Sequence, residues 1–473
     1  MTATDAPRDN VGRASALMAS GSLVSRLLGV VRTSLMVACI GAETTASTAF
    51  NTANTLPNQI FALLQGGLLT TLILPQLTKA MARKDAGKQT IDALLTWSFV
   101  VILGVTVLAT ALAYPLSVVL RLQGPTLELG VTFAFICLPQ IFFYGAYTLL
   151  SQVLYARGRF ALTMWATVFA NLVQIAGMVI FLSRFGQVND ADRWTPDMVW
   201  LLAGVFTLGI VVQSAALIPA LVRSGFSWRP SFALRGHGFR TTAKLAVWTM
   251  IAVTIAQLGG FATVAAINEV THRGLASGDG NVANVTVYNL AFMLFFVPHG
   301  IITISLLTAI FPRITRAYQA GDEASLRSDV AQAVKLPLVG MVPITAAAIA
   351  LAGPGVKVLN PKMTGLEIAD TALVFGLMAL GLVPYAINGL QQRYSMARED
   401  GRTNLWLTCV VVGVQVAAAI AILFIPSALG VAVVALQFHL AVFEGAAGAA
   451  GGLQAGGQVG QVVAVGVEAG DDR

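Results

Sequence analysis

The chain has 473 residues; 56% are hydrophobic, only 11% are charged, and the mean hydropathy is +0.76. A soluble protein of this length carries roughly a quarter charged residues, so the composition excludes an ordinary soluble enzyme or binding domain. The net charge is +7, but the basic residues lie in short loops. That distribution argues against nucleic-acid binding and favours an effect of membrane topology.

Apolar windows recur along nearly the whole chain, each long enough for the ~20 residues that cross a bilayer as a helix. A membrane barrel would instead show short alternating strands. The sequence therefore predicts an all-α, polytopic membrane protein. Twelve spans are expected, at approximately residues 15–41, 46–78, 91–120, 127–155, 160–184, 198–222, 241–270, 284–312, 328–353, 366–396, 403–425 and 427–444.

The first span contains the stretch SGSLVSRLLGVVRTSLMVACIG at residues 20–41, with Arg26 and Arg32 inside it. An arginine at mid-bilayer depth costs between ~3 and ~15 kcal/mol, so such residues usually face a bundle interior or a water-filled cavity. Six residues correspond to about 120° around a helix by the shorter way, so both arginines can edge one wide cavity. The planar guanidinium group can donate two parallel hydrogen bonds to phosphate oxygens, so the two arginines predict an anion site. Snorkelling to the interface and an ion pair with a buried acid are the structural alternatives.

The second span carries Asn51, Asn54 and Asn58 at i, i+3 and i+7, a spacing that predicts one polar face. This face either lines the cavity with Arg26 or makes hydrogen bonds between helices. Asn54 and Asn58 are the candidate substrate-binding residues on this span, beside the two arginines of the first.

We interpret three features as structural: His299, a charged group near the seventh span, and the cysteines. His299 follows Pro298 in the eighth span, and a hydrogen bond to a carbonyl freed by the proline is favoured over a proton relay. Glu269, His272 and Arg273 near the outer end of the seventh span have no ligand geometry and predict a salt-bridged outer mouth. The three cysteines lie in separate apolar segments, which predicts buried, inert thiols.

Motifs of enzymes are missing from the sequence: there is no Walker loop, HExxH, nucleophile elbow or acid cluster for a metal. We therefore expect no catalytic residue, cofactor or metal site, and no ATP-driven transport by this chain alone.

Lysine and arginine predict the orientation. With the N-terminus in the cytoplasm, the inside loops hold 18 of these residues and the outside loops hold 6. This bias predicts an N-terminus on the cytoplasmic side.

An internal repeat predicts two lobes. TLILPQLTKA at 71–80 resembles TAIFPRITRA at 308–317, and LEL at 127–129 and YAR at 155–157 have counterparts at 366–368 and 396–398. The offsets are 237, 239 and 241 residues, and each pair has the same predicted sidedness, so the repeats are parallel about an axis along the membrane normal. The predicted organisation is a tail (1–14), a six-helix lobe (15–222), a basic cytoplasmic connector (223–240), a second six-helix lobe (241–444) and an atypical Gly/Ala-rich tail (445–473).

Four segments carry a family resemblance: SRLLGVVRT at 25–33, AFNTANTLPN at 49–58, GGLLTTLILPQL at 66–77 and VPHGIITISLLTAIFP at 297–312. Together they resemble the MurJ (MviN) lipid II flippase family, in its actinobacterial form, within the multidrug/oligosaccharidyl-lipid/polysaccharide exporter superfamily. The resemblance covers most of residues 15–425, and its S-R-x-x-G-x-x-R string is the most specific part.

The resemblance implies movement of the undecaprenyl-pyrophosphate-linked peptidoglycan precursor to the outer leaflet of the cell membrane by alternating access, with the lobes rocking around a central cavity. It assigns Arg26 and Arg32 to that cavity. It also implies lipid II, membrane lipids and cell-wall synthesis proteins as partners. The chain departs from the family at Thr48, where an acid is usual, and at Met293, where many members have an arginine.

Two other functions stay open on the sequence. One is export of a different polyprenyl-linked glycan or a drug-like cation, and the other is a non-transporting scaffold of cell-wall synthesis.

Overall fold

The computed structural model describes residues 8–66, 69, 77, 87–157, 159, 161–232, 239–278, 282–397, 401–421 and 424. All regular structure in these ranges is helical, which confirms the predicted all-α class. The α-helices are α1 (Arg8–Ile40), α2 (Thr45–Leu63), α3 (Gly87–Ala111), α4 (Ala113–Val119), α5 (Gly124–Cys137), α6 (Gln140–Ala156), α7 (Ala161–Phe185), α8 (Pro196–Ala215), α9 (Ile218–Arg223), α10 (Phe239–Ala276), α11 (Val285–Pro298), α12 (Ile304–Ala320), α13 (Glu323–Ala350), α14 (Ala352–Leu359), α15 (Gly365–Ala379), α16 (Leu382–Ala397) and α17 (Gly401–Ala421).

Eight helical stretches in the described part of the chain are long and apolar enough to cross a membrane, and the bent pair α15–α16 makes nine. Many large apolar side chains on their outer faces are exposed, as lipid-facing residues are. Helices also cover the first half of the predicted second span and all of the eighth. The predicted twelfth span, 427–444, and the tail, 445–473, lie outside the described residues, as does almost all of 71–80.

The chain divides into two compact units, Met1–Met250 and Ile251–Arg473. In the first, α1 packs along α7, α7 packs along α8, and α2 packs against α5 and α6. The ring of Phe50 on α2 contacts the rings of Phe133 and Phe206 at 5.3 and 4.9 Å between centroids. These aromatic contacts join α2, α5 and α8 in one core.

In the second unit, α11 packs against α15, and α12, α13 and α16 pack together. A π-helical turn, His299–Thr303, separates α11 from α12 after a proline. Arg313 of α12 forms an ion pair of 2.5 Å with the buried carboxylate of Asp329 on α13. This ion pair links two helices that follow each other directly in the chain.

Helix breaks recur at similar places in the two units. Helix α3 ends at Ala111 and helix α13 ends at Ala350, 239 residues further on, and a short helix follows each. The next helices begin at Gly124 and Gly365, 241 residues apart. These offsets agree with the repeat read from the sequence. The two-fold axis itself stays a prediction.

Polar caps at several helix starts explain why those helices begin where they do. Thr44 and Ser47 form a capping box at the start of α2, and Asn284 accepts hydrogen bonds from two backbone N–H groups at the start of α11. Thr364 and Glu367 form a second capping box before α15. Each cap satisfies backbone donors that a helix leaves unpaired at its first turn.

A glycine allows the close approach of α7 and α8. A Cβ at Gly209 would lie 2.7 Å from Nε2 of Gln174 and 3.0 Å from the carbonyl oxygen of Ala170. Because the carbonyl belongs to the backbone of α7, it moves only if the helix moves. Small residues at helix contacts supply the van der Waals packing that holds membrane bundles together.

We therefore predict that Gly209→Val separates α7 from α8 and destabilises the protein by about 1–3 kcal/mol, the usual cost of overpacking. Gly204→Val is the matched control, since it lies on the same helix and a Cβ there meets no atom within 4 Å. Thermal unfolding of both variants in detergent measures the difference. Equal melting temperatures would show that this contact does not limit stability.

Candidate functional site

One face of α1 packs against α7 along the spanning part of the helix. A Cβ at Gly21 would lie 3.0 Å from Cδ1 of Trp165, and the Asn171 side-chain amide donates hydrogen bonds to the Ser25 carbonyl and hydroxyl oxygens at 3.1 and 3.2 Å. Near the end of α1, the thiol of Cys39 lies 3.6 Å from a carbonyl oxygen of α7. This face fixes the position of α1 in its unit.

Arg32 lies on the same packing face. Its Nη1 donates a hydrogen bond of 3.1 Å to Oε1 of Gln174, and its guanidinium carbon lies 5.9 Å from the centroid of the Phe206 ring. Gln174 is buried and donates in turn to the carbonyl oxygen of Phe206 at 3.0 Å. Arg32 is thus hydrogen bonded to a neutral amide. Among the described residues it forms no ion pair with a buried acid, which was one of its two structural alternatives.

Arg26 has a different environment. Its side chain is exposed, and in the part of the chain that the structure describes it makes no hydrogen bond or ion pair. By helical geometry it lies about 120° from Arg32, on a side shared with Ser22, Gly29 and Thr33. A Cβ at Gly29 would meet no atom within 4 Å. Leu23 lies about 60° from Arg26 in the other direction, so Arg26 presents an unneutralised charge where this small, polar side meets the apolar side of the helix.

This side differs from the lipid-facing side of α1, where exposed apolar residues recur every four positions. They are Leu23, Leu27 and Val31.

The predicted polar face of α2 is only partly correct. Asn51 is buried, and its amide donates to the carbonyl oxygen of Ser47 at 3.0 Å, so it does not line an open surface. Asn54 is half-buried and Asn58 is exposed. Thr48, at the position where the family resemblance places an acid, is buried and donates to the carbonyl oxygen of Thr44 at 2.9 Å.

Asn54 and Asn58 make no hydrogen bond with Arg26 or Arg32 among the described contacts, although α1 and α2 touch. The grouping of these four residues into one site therefore stays a prediction. Asn171 and Gln174, two polar residues three positions apart in the apolar fifth span, were not among the predicted site residues. That spacing is the signal that would have placed them on one face of α7.

His299 lies in the π-helical turn of the second unit. It is buried, and its Nδ1 has no hydrogen-bond partner among the described residues. Its ring instead packs edge-on against Tyr385 at 4.6 Å and near Phe296 at 5.5 Å. Nδ1 therefore does not make the expected hydrogen bond to a freed carbonyl, since the helix widens into a π turn and aromatic rings pack against the imidazole.

Three further predictions concern the outer ion pair, the cysteines and metal binding. Nε of Arg273 lies 3.6 Å from Oε1 of Glu269, so these two residues form the expected ion pair. Two cysteines are buried and Cys409 is half-buried; all three are free. Within the described ranges, no three His, Cys, Asp or Glu side chains come together in a metal-binding arrangement.

Solved structures share the fold of the chain. A lipid II flippase MurJ in its inward closed conformation superposes with a TM-score of 0.72 at 16% identity, over 91% of this chain and 86% of the other. An inward-facing multidrug resistance MATE family transporter of the MOP superfamily superposes with a TM-score of 0.65 at 18% identity, over 91% and 95%. At these identities the likeness concerns the fold alone: the chain shares its helical architecture with these two structures.

Sequence comparison is more specific. The family described as "Lipid II flippase MurJ" matches residues 36–447. A protein of Rhizobium meliloti named as a probable lipid II flippase MurJ is 27% identical over 88% of this chain and 76% of its own length. A Synechocystis protein of the same name is 26% identical over 82% and 71%. The chain belongs to the MurJ lipid II flippase family, as its sequence motifs predicted.

The two arginines are expected to differ in stability experiments. Arg32→Ala removes the hydrogen bond to Gln174 and leaves a buried amide oxygen without it, so we predict a loss of about 1–2 kcal/mol and a lower melting temperature. Arg26→Ala removes an exposed side chain without described contacts and is expected to leave the melting temperature unchanged. Thermal unfolding of both variants in the same detergent tests this, and equal destabilisation would contradict it.

Proposed function

We propose that this chain is a lipid II flippase, which moves the undecaprenyl-pyrophosphate-linked peptidoglycan precursor from the inner to the outer leaflet for cell-wall synthesis. Membership of the family supports the activity. The environment of Arg26 is the observation that supports the proposed site. A cation in an apolar span is costly unless something compensates it. Arg26 is exposed and has no partner among the described residues, so an anionic substrate is the missing partner.

In this proposal Arg26 makes the direct contact with the pyrophosphate. Its guanidinium offers two parallel N–H donors in a planar fork, which matches two phosphate oxygens. Arg32 gives one of its N–H groups to Gln174 and keeps others for the substrate. Asn54 and Asn58 supply amide donors and acceptors for sugar hydroxyls. No covalent step is required, since transport needs only binding and release on opposite sides of the membrane.

The proposed mechanism is alternating access, in which the site opens to one side of the membrane at a time while the lipid tail stays in the bilayer. The proposed location is the cell membrane, with the N-terminus in the cytoplasm. The excess of lysine and arginine in the inside loops, 18 against 6, supports this orientation. Membrane lipids are expected partners, and proteins of cell-wall synthesis are proposed ones.

The orientation predicts opposite labelling of two loops. A cysteine introduced as Asp192→Cys, in the loop before α8, is expected to react with a membrane-impermeant maleimide on intact cells. Ser227→Cys, in the connector after α9, is expected to react only after the cells are opened. Both positions are exposed. The reverse pattern would place the N-terminus outside.

Activity tests the role of Arg26. In cells that depend on this protein, Arg26→Ala is expected to reduce lipid II exposure on the outer leaflet at least tenfold, because a charge-assisted bidentate contact is worth more than 1.4 kcal/mol. Arg26→Lys is expected to keep part of the activity, since the charge remains and the fork is lost. Exposure is measured with an externally added reagent that cleaves lipid II.

Arg184→Ala is the matched control, an exposed arginine in the last turn of α7, and is expected to support normal exposure. Normal lipid II exposure in Arg26→Ala would remove Arg26 from the site. If growth requires the protein but lipid II exposure does not, the protein would instead transport a different polyprenyl-linked glycan or act as a scaffold.

A further inference from the structure

The start of the connector is fixed against the first unit. The Arg157 side chain donates hydrogen bonds to the carbonyl and hydroxyl oxygens of Ser224, and its guanidinium lies 5.2 Å from the centroid of the Phe226 ring. The indole N–H of Trp228 donates to Thr96 Oγ1 at 3.3 Å, and the backbone N–H of Ser231 donates to the same oxygen at 3.0 Å. The connector residues 224–232 therefore form a wall against α3 and α6.

A cavity of about 600 Å³ lies behind this wall, between α3, α6, α8 and α9. Its volume falls in the range of pockets that hold small organic ligands, ~300–1,000 Å³. Its surface is formed mostly by aromatic and aliphatic side chains, including Phe99, Phe142, Phe143, Phe226 and Trp228. We call it the connector cavity.

The polar atoms of the connector cavity are already hydrogen bonded within the chain. The hydroxyl of Thr96 donates to the Asp92 carbonyl oxygen at 2.7 Å, and the hydroxyl of Ser214 donates to the Val211 carbonyl oxygen at 2.9 Å. The indole N–H of Trp228 is bonded to Thr96. A sugar or a charged ligand would therefore find few partners here, whereas a hydrocarbon chain needs none.

The rim of the cavity is basic. Arg223 and Arg229 directly adjoin the lining residues Val222 and Trp228 in the chain, and both side chains are exposed. Neither arginine has an ion-pair or hydrogen-bond partner among the described residues. Trp228 lines the cavity and directly precedes Arg229 in the chain, a pairing that suits the boundary of hydrocarbon and headgroups, where tryptophan is enriched.

We propose that the connector cavity binds one acyl chain of an anionic phospholipid, while Arg223 and Arg229 bind its phosphate headgroup. The charge of the rim selects an anionic headgroup over a zwitterionic one, and the apolar lining accepts the chain. The lipid comes from the leaflet on the connector side. Its role is to hold the connector against α3 and α6, and it is distinct from the transported molecule.

The test uses the full chain purified in detergent and phospholipids with brominated acyl chains, which quench nearby tryptophan emission. The emission of Trp228 is obtained by subtracting the emission of the Trp228→Phe variant in each background. Phosphatidylglycerol is expected to quench Trp228 at a mole fraction at least tenfold lower than phosphatidylcholine, since each basic residue near the headgroup contributes roughly a fivefold preference. Equal quenching by both lipids would overturn the proposal.

Two variants separate the headgroup and chain contacts. The double variant Arg223→Gln/Arg229→Gln is expected to abolish the preference for phosphatidylglycerol. Ala215→Phe, at an exposed lining position, fills the cavity and is expected to weaken quenching by both lipids. The matched control Arg184→Gln/Arg193→Gln removes the same charge from exposed positions at the opposite end of the helices and is expected to keep the preference.

An unchanged preference in the Arg223/Arg229 double variant, or unchanged quenching in Ala215→Phe, would show that Trp228 contacts only bulk lipid or detergent and would overturn the proposal. Size-exclusion elution and helical circular dichroism of every variant confirm that the loss of quenching does not come from unfolding.

Discussion

The cost of a charge in an apolar helix is the constraint on which the first unit depends. Arg32 offsets this cost by donating a hydrogen bond to Gln174, whose amide donates in turn to the carbonyl oxygen of Phe206. One chain of hydrogen bonds thereby connects α1, α7 and α8, and Gly209 lets the last two approach closely enough for it to form. Because an interhelical hydrogen bond in a bilayer has little water to compete with it, this chain fixes how α1 is rotated. Rotation of α1 in turn decides where Arg26 points.

The two arginines lie in similar local sequence, yet they have different roles. Arg32 is tied to the bundle and orients the helix, whereas Arg26 carries a charge that the described part of the chain does not neutralise. A transport site must bind its anion and then release it. A guanidinium without a permanent internal partner meets this need better than one committed to a buried acid, because no ion pair has to break first.

Much of the fold follows from the sequence because lipid simplifies the problem. Backbone polar groups in a bilayer must pair within a helix, so apolar length alone predicts helices, and the predicted spans coincide with helices wherever the chain is described. The repeat also predicts the spacing of the helix breaks. His299 and Asn51 show the limit: both are polar residues in apolar helices, and each has an environment that the local sequence does not encode. Tyr385 of a distant helix packs against the first together with Phe296 of the preceding helix, and the second donates to a carbonyl oxygen of its own helix.

The sequence by itself determined the helical class, the membrane location, the family and the presence of two cations in the first span. These properties depend on composition, period and local motifs. The tertiary structure decided which cation is held and which is exposed, because that depends on Gln174, about 140 residues away from Arg32. It also decided that Arg157 and Thr96 fix the connector over an apolar cavity, through contacts between residues 67 to 135 positions apart. Side chains from distant segments meet only after the helices pack, so no local pattern can specify them.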